Sequence, residues 1–358
     1  MKIIYLGHAA SGSTSRHRAE ALTRLGHEVI VADPYAALTT NLSGRLRGAL
    51  HYRTGYRLLQ GAVNSWVDGL LRQHAGWPEV VWVDGGELIG SKVAKALRLF
   101  GCPAVLYNID DPSGHRDGRR WDSLLSALPV YDLCAVVRRE NISEFQAFGA
   151  HNVHRVWRSY DEVAHSPFGE LNDISSVFRS EVAFVGTWIR GEGRDEFLLA
   201  LIERGIDVAI WGDRWEKSPG WPKLQAHWRG PALSGRDYVA ALQGAKLALG
   251  FLSKGNRDLH TTRSAEIPYA GGLLCAERTT EHLAMYREGE EAVFWNDVDE
   301  CAAVCHKLLA DDALRERIRQ QGMARVRAGG YGNEGVCNDI LTRLISNHAV
   351  NSELELDN

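Results

Sequence analysis

No run of this 358-residue chain approaches the ~20 apolar residues that a membrane-spanning helix needs. Cysteine is sparse. The six cysteines are scattered, with neither zinc-ligand spacing nor a dense disulfide framework. Cys301 and Cys305 stand four apart on an alanine-rich helical stretch, where small core residues are expected rather than ligands. The G-x-G-x-x-G dinucleotide fingerprint is missing, because the first loop has glycines only at Gly7 and Gly12. No low-complexity tract occurs. The opening MKIIYLGHAASG carries a single Lys and a short apolar run leading into a polar loop, unlike a secretory signal. A net charge of -4 argues against nucleic acid as the main partner. These absences exclude a spanning membrane protein and a disulfide scaffold, and they predict a reduced, cytoplasmic one.

What is present fits a soluble globular chain: 45% hydrophobic and 24% charged residues. The length suits two domains of ordinary size. Charge is uneven. Residues 1–165 hold 19 Lys+Arg against 16 Asp+Glu, and the remainder holds 22 against 29. The front half is therefore the better candidate to meet an anionic acceptor or membrane surface. Of the eleven tryptophans, Trp188, Trp211, Trp215 and Trp221 fall within two residues of Gly or Asp in loops and are expected to pack.

The chain reads as strands alternating with helices, which implies parallel sheets with right-handed crossovers. Strands are predicted at Lys2 to Leu6, Glu28 to Ala32, Val80 to Val83, Ala104 to Asn108 and Leu133 to Val137. A helix over Arg16 to Leu25 completes a βαβ start. The pattern loosens after Asp161, and residues 166–180 are expected to be a linker. A second series follows, with strands at Val182 to Val185, Asp207 to Trp211, Leu247 to Phe251, Leu273 to Cys275 and Ala292 to Trp295. The expected division is therefore 1–165, a linker at 166–180, a second domain at 181–346, and a frayed acidic tail at 347–358.

In parallel sheets ligands gather at the carboxyl ends of strands. In the first half those ends are polar: Asp84 to Glu87, Asn108 to Asp111 and Arg138 to Asn141. Asp84, Asp110, Asp111 and Arg138 are thus candidate acceptor contacts; a metal clamp at Asp110 and Asp111 is the lesser alternative. His8, in the first loop, could be a base or a hydroxyl contact. In the second half, Gly186-Thr187 turns a clean strand toward a helix opened by Arg190 and Arg194. Free backbone N–H groups, the helix dipole and two guanidinium groups favour a diphosphate there. The stretch DLHTTRSAEIPYAGGLLCAE puts Asp258, Arg263, Glu266, Gly271 and Gly272 in a strand–loop–helix–turn unit. A carboxylate in such a unit commonly accepts from both hydroxyls of a ribose. The segment Arg45 to Arg57 mixes cations and aromatics at near-helical spacing and could dock on anionic headgroups or a charged glycan.

Asp258 and Glu266, with seven residues between them, resemble the Glu, seven residues, Glu signature of retaining glycosyltransferases of the GT-B fold, with Asp in the first place. FVGTWIRGEGRDEFL, IWGDRW, TTRSAEIPYAGGLLCAE and FWNDVDECAAVCHKLLADDALRERIRQQG resemble the C-terminal domain of bacterial group 1 glycosyltransferases, in particular the CgeB-like branch. The resemblance covers about residues 183–344. The segment from Tyr331 departs from it, lacking the Tyr-then-Arg of many relatives. GHAASGSTSRHRAEALTRLGHEV is similar, less specifically, to the acceptor domain of the same fold. The resemblance implies an α/β protein of two Rossmann-like domains facing a cleft. Glu266 would bind the donor ribose, Arg190 and Arg194 would take the diphosphate, and His8 would be the base if the reaction inverts.

The resulting expectation is a glycosyltransferase that moves a sugar from a nucleotide-sugar donor to a glycan, lipid-linked or small-molecule hydroxyl acceptor. The setting would be surface-glycan or secondary-metabolite biosynthesis. No metal cofactor is expected, and the acid pair suggests retention of configuration. Peripheral contact with the inner membrane face through Arg45 to Arg57 accompanies this reading. An NAD(P)-dependent oxidoreductase and a non-catalytic glycan-assembly scaffold are the alternatives.

Overall fold

The computed structural model describes residues 1–356, with side chains through residue 346. Two compact units emerge. The first joins Met1–Trp157 to Asn333–Asn358, and the second is Arg158–Gly332.

The first unit holds a six-stranded parallel sheet in the order β2-β1-β3-β4-β5-β6. Its strands are β1 Lys2–Leu6, β2 Glu28–Ala32, β3 Val80–Asp84, β4 Ala104–Asn108, β5 Leu133–Val136 and β6 Val153–Arg155. The central strands (IIYL, VVWV, AVLY, LCAV) are apolar at consecutive positions, because helices cover both faces. The register pairs Ile4 with Val81 and Val81 with Ala104. Ser13 caps the first helix, Thr14–Arg24, by accepting from the Arg16 N–H at 3.1 Å.

The second unit repeats the plan with the order β12-β11-β10-β7-β8-β9. These strands are β7 Ser180–Val185, β8 Val208–Trp211, β9 Trp228–Gly230, β10 Ala245–Gly250, β11 Leu274–Glu277 and β12 Val293–Trp295. Order reverses between β7 and β10, and such a switch point opens a crevice at the carboxyl ends of the two strands.

The chain divides elsewhere than its composition suggests. Residues 166–180 are not a free linker. The Gln243 side chain takes the Phe168 N–H at 2.7 Å and donates to its carbonyl at 3.0 Å, and Ile174 is buried. The last helix, Asn333–Leu356, folds with the first unit, because Val336, Cys337, Ile340, Leu341 and Leu344 bury against Ile3, Tyr5, Trp82 and Tyr107. It also runs through most of the expected frayed tail; Asp357 and Asn358 lie outside the described residues. β6 and β9 were not predicted. Both are three-residue edge strands with little buried apolar surface, so no hydrophobic run marks them. The six cysteines are all free, and among the described residues no helix is long and apolar enough to cross a membrane.

Candidate active site

At the switch point β7 ends in Phe184-Val185 and the chain turns at Gly186-Thr187. The turn is tied down from three directions. Gly186 N–H donates to the Trp211 carbonyl at 2.9 Å, and the Trp215 indole donates to the Gly186 carbonyl at 3.0 Å. Gly212 (φ +149) lies against the same carbonyl; a Cβ there would sit 2.0 Å from it, so only glycine fits. Across the crevice the helix Thr262–Tyr269 begins with a capping box, in which the Ser264 hydroxyl takes the Thr261 N–H at 3.0 Å.

Between these elements lies a cavity of about 210 Å³ lined by Gly186, Thr187, Arg194, Ser253, Thr261, Thr262 and Arg263 over the apolar Phe184, Val185 and Phe251. Arg194 is held at its wall by bonds to the carbonyls of Thr187 (2.9 Å) and Leu252 (3.3 Å). Arg263 reaches the Val185 carbonyl at 3.3 Å and lies over the Tyr238 ring at 4.7 Å. Two guanidinium groups, hydroxyls and a helix N-terminus around one small space make a site for a di-anion.

Glu266 stands directly behind Arg263. It is 3% exposed, and its Oε2 accepts from the Tyr238 hydroxyl (2.6 Å) and from Arg263 (2.7 Å). Its Oε1 faces His165 at 3.8 Å. Burial alone would raise the Glu266 carboxyl; Arg263, His165 and Tyr238 more than offset it and hold its pKa below the usual value. Burial would likewise lower Arg263, but Tyr238 and Glu266 hold it above its ordinary value. Glu266 is therefore a charged anchor for Arg263, standing behind the cavity lining rather than in it. Composition gave no sign of Tyr238 or His165, and His165 lies at the edge of the supposed linker.

The other expected donor contacts fall elsewhere. Arg190 is exposed on the turn before the helix Arg194–Glu203 and does not line the cavity. Asp258 is buried against Arg158 at 3.2 Å and does not line it either. Gly271 and Gly272 sit at the opposite, amino end of β11. There Gly271 (φ +84) ends the helix, and a Cβ on Gly272 would lie 2.7 Å from the Leu242 carbonyl. They turn the chain and bind nothing at the crevice.

In the first unit the polar strand ends are mostly tied to one another. Asp84 forms a two-pronged pair with Arg18 at 2.7 and 2.8 Å, both side chains 5% exposed. Asp111 accepts from Asn141 at 2.9 Å, and buried Arg138 clamps the carbonyls of Ile109 and Asp110. These bonds fix the loops at the strand ends, and Asp110 stays partly exposed. His8 is half-exposed, with Nδ1 3.3 Å from Asp33 Oδ2 and its ring edge-on to Tyr35. Burial would raise Asp33, but N–H donors from Ala9, Ala36 and Tyr35 hold it below its usual value. A cluster not foreseen adjoins it: Glu87 accepts from the Tyr35 hydroxyl at 2.7 Å and from Arg120 at 2.6 Å. Farther along, the helix Arg45–Arg53 and the turn after it expose Arg45, Arg47, Arg53 and Arg57, with Leu46 88% and Leu58 65% exposed among them. No acidic residue occurs between Asp33 and Asp68.

Comparison with known proteins agrees with this architecture. Residues 192–341 match the family described as glycosyl transferase-like. Sucrose-phosphate synthase from Thermosynechococcus elongatus is similar in structure, with a TM-score of 0.70 and 14% identity over 98% of this chain and 100% of that one. HepE of Anabaena, solved with UDP and glucose, has a TM-score of 0.67 at 12% identity, covering 97% and 100% of the two chains. An α,α-trehalose-phosphate synthase (UDP-forming) from Burkholderia xenovorans, in complex with glucose-6-phosphate, has a TM-score of 0.63 at 15% identity, covering 96% and 100%. Among curated proteins none matches in sequence. The expected fold, the two Rossmann-like α/β domains of the GT-B architecture, is borne out, and the glycosyl transferase-like match lies in residues 192–341.

Proposed function

We propose that this glycosyltransferase takes its sugar from a uridine-diphosphate donor and delivers it to a hydroxyl of a carbohydrate acceptor. One observation carries the reading: the 210 Å³ cavity at the β7/β10 switch point, where Arg194, Arg263 and a capped helix start converge. The uridine and sugar-acceptor parts draw on the similar structures, two of which are named with UDP and glucose or as UDP-forming with glucose-6-phosphate.

In this mechanism the chain mainly neutralises the leaving group. Negative charge grows on the departing diphosphate, and preorganised guanidinium groups stabilise that charge without reorganising. Glu266 positions Arg263 and, in this proposal, takes the ribose hydroxyls. The arginines do the work a divalent metal would do, so transfer is metal-independent in this proposal. Full loss of activity in EDTA, restored by Mg²⁺ or Mn²⁺, would overturn that part. The acceptor role falls to the first unit.

Retention of configuration is the primary reading, from the spacing of Asp258 and Glu266. A specific observation favours inversion: His8 beside Asp33 has the arrangement of a base and its orienting carboxylate. Proton NMR of the first-formed anomer decides between them. We also assign the Arg45–Arg57 face to peripheral contact with an anionic membrane, since exposed leucines stand among exposed arginines, of which Arg57 pairs with Asp122 at 3.1 Å.

Thermal-shift and calorimetric titration with UDP, GDP, dTDP, ADP and CMP tests the donor reading. UDP should bind best. Binding of NAD(P) but of no nucleoside diphosphate would revive the oxidoreductase alternative. Binding of none would favour a scaffold.

A further inference from the structure

A second cavity in the same unit, of about 370 Å³, takes no part in the mechanism above. It opens at the carboxyl ends of β10, β11 and β12, beside the starts of the helices Arg194–Glu203 and Val298–Ala310. Its apolar surface is aromatic. Phe197 lies 4.4 Å from the Trp295 ring, and Phe251 meets that ring edge-on at 5.8 Å. Trp295 is 4% exposed, and its indole N–H has no acceptor among the described residues.

The rim is acidic. Glu192, Glu196, Glu277 and Asp297 stand against Arg194 and Lys254. Several rim groups are held in place by the backbone. Glu192 takes the Lys254 N–H at 2.8 Å and the Ser253 hydroxyl at 3.1 Å, and Glu277 takes the Leu252 N–H at 3.0 Å with one oxygen. Arg194 and Phe251 form the wall shared with the smaller cavity. The two sides of that wall differ in charge. The smaller cavity has two arginines and no acid among its lining residues, whereas this one is net acidic.

We propose that the larger cavity binds an uncharged pyranose ring. The C–H face of a pyranose packs on aromatic rings, and fixed carboxylates accept from its vicinal hydroxyls. The volume is in the range of small-ligand sites. A phosphate or a nucleotide is disfavoured by four acids on the rim. An ammonium ligand would meet Lys254 and Arg194 on the same rim. The site goes beyond the donor reading and does not depend on it. The ring could belong to a free sugar or to one unit of a longer glycan.

The test is saturation-transfer NMR with calorimetry, using D-glucose, D-galactose, D-glucosamine and maltotriose in turn against wild type and Ala200→Phe. Ala200 lines the cavity from a helix, and the larger side chain fills it without removing a core residue. A neutral sugar should bind wild type in the millimolar range, and Ala200→Phe should weaken it at least about tenfold. Glu277→Gln, which can still accept from Leu252, should also weaken it. Equal binding of glucose and maltotriose identifies a free-sugar site, and stronger binding of maltotriose identifies a glycan-chain site; both support the proposal. Failure of every neutral sugar, preference for glucosamine, or unchanged binding in a folded Ala200→Phe protein overturns it. UDP binding, measured on the same samples, reports separately on the donor site.

Discussion

The two units share one plan and use their strand ends in opposite ways. In the first, the acids at the carboxyl rim are tied to neighbours: Asp84 to Arg18, Asp111 to Asn141. In the second, the corresponding rim surrounds two cavities, and Arg194 and Arg263 line the smaller one while bonded to backbone carbonyls, Arg263 also to Glu266. A polar strand end in an α/β sheet is therefore only a candidate site. What separates a site from a lock is whether the charged group lines a cavity.

The largest expected effect breaks the lock. Asp84→Ala leaves the Arg18 guanidinium buried and unpaired, which costs roughly 3–5 kcal/mol. Chemical denaturation should show that loss, with UDP affinity of the folded fraction unchanged. A stability within experimental error of wild type would mean the pair is not structural, and the acid would return to the list of acceptor contacts.

Next comes the open rim. Arg194→Ala should lower the turnover number by about a hundredfold or more, by analogy with loss of one preorganised donor. Arg194→Lys keeps charge but not the two-carbonyl grip, and should recover part of the rate. Arg190→Ala, exposed and outside the cavity, should change turnover little. A larger loss from Arg190 than from Arg194 would restore the sequence expectation that both act on the leaving group.

Glu266→Gln should weaken donor binding about tenfold to a hundredfold, since a charged hydrogen bond is worth roughly 1.5–3 kcal/mol. The same change carries a pH signature. The native carboxyl is held below its unfolded value, so its stabilising effect is full above about pH 4.3 and is lost as pH falls through the native value. Acid unfolding should be shallower for Glu266→Gln than for wild type. Identical acid limbs would show that Glu266 is not anchored as described.

The smallest effect concerns the arginine face of the first unit. Each arginine near an anionic surface is worth about 1 kcal/mol. Arg47→Gln with Arg53→Gln should reduce co-sedimentation with vesicles of anionic lipid by roughly tenfold to thirtyfold. Leu46→Ser should reduce it further at high salt, where the ionic part is screened. Wild type that ignores anionic vesicles would remove the membrane from the account.

Much of this was legible in the residues. The apolar runs KIIYL, VVWV and AFVG mark strands because a parallel sheet buried on both faces needs them. The step from a strand to Gly186-Thr187 and then to a helix marked the turn that lines the smaller cavity. Arg263 and Glu266 were found from one motif, although their mutual contact was not. The rest depended on distances the sequence does not carry. Arg18 and Asp84 are 66 positions apart, and Tyr238 and Glu266 28, so neither pair shows as spacing. Gly271-Gly272 looked like a ligand turn, and only the strand direction places it at the wrong end of the sheet. The return of the last helix to the first unit rests on its buried apolar face, a stripe that any partner sheet could have taken.

The most direct test of the central claim is a calorimetric titration of UDP into wild type and Arg263→Gln. Arg263 pairs with Glu266 much as Arg18 pairs with Asp84, but it also lines the cavity. The account predicts that wild type binds UDP and that the folded variant binds at least about tenfold more weakly, the equivalent of 1.4 kcal/mol. Equal affinity in the two proteins, or no binding by wild type, would contradict it.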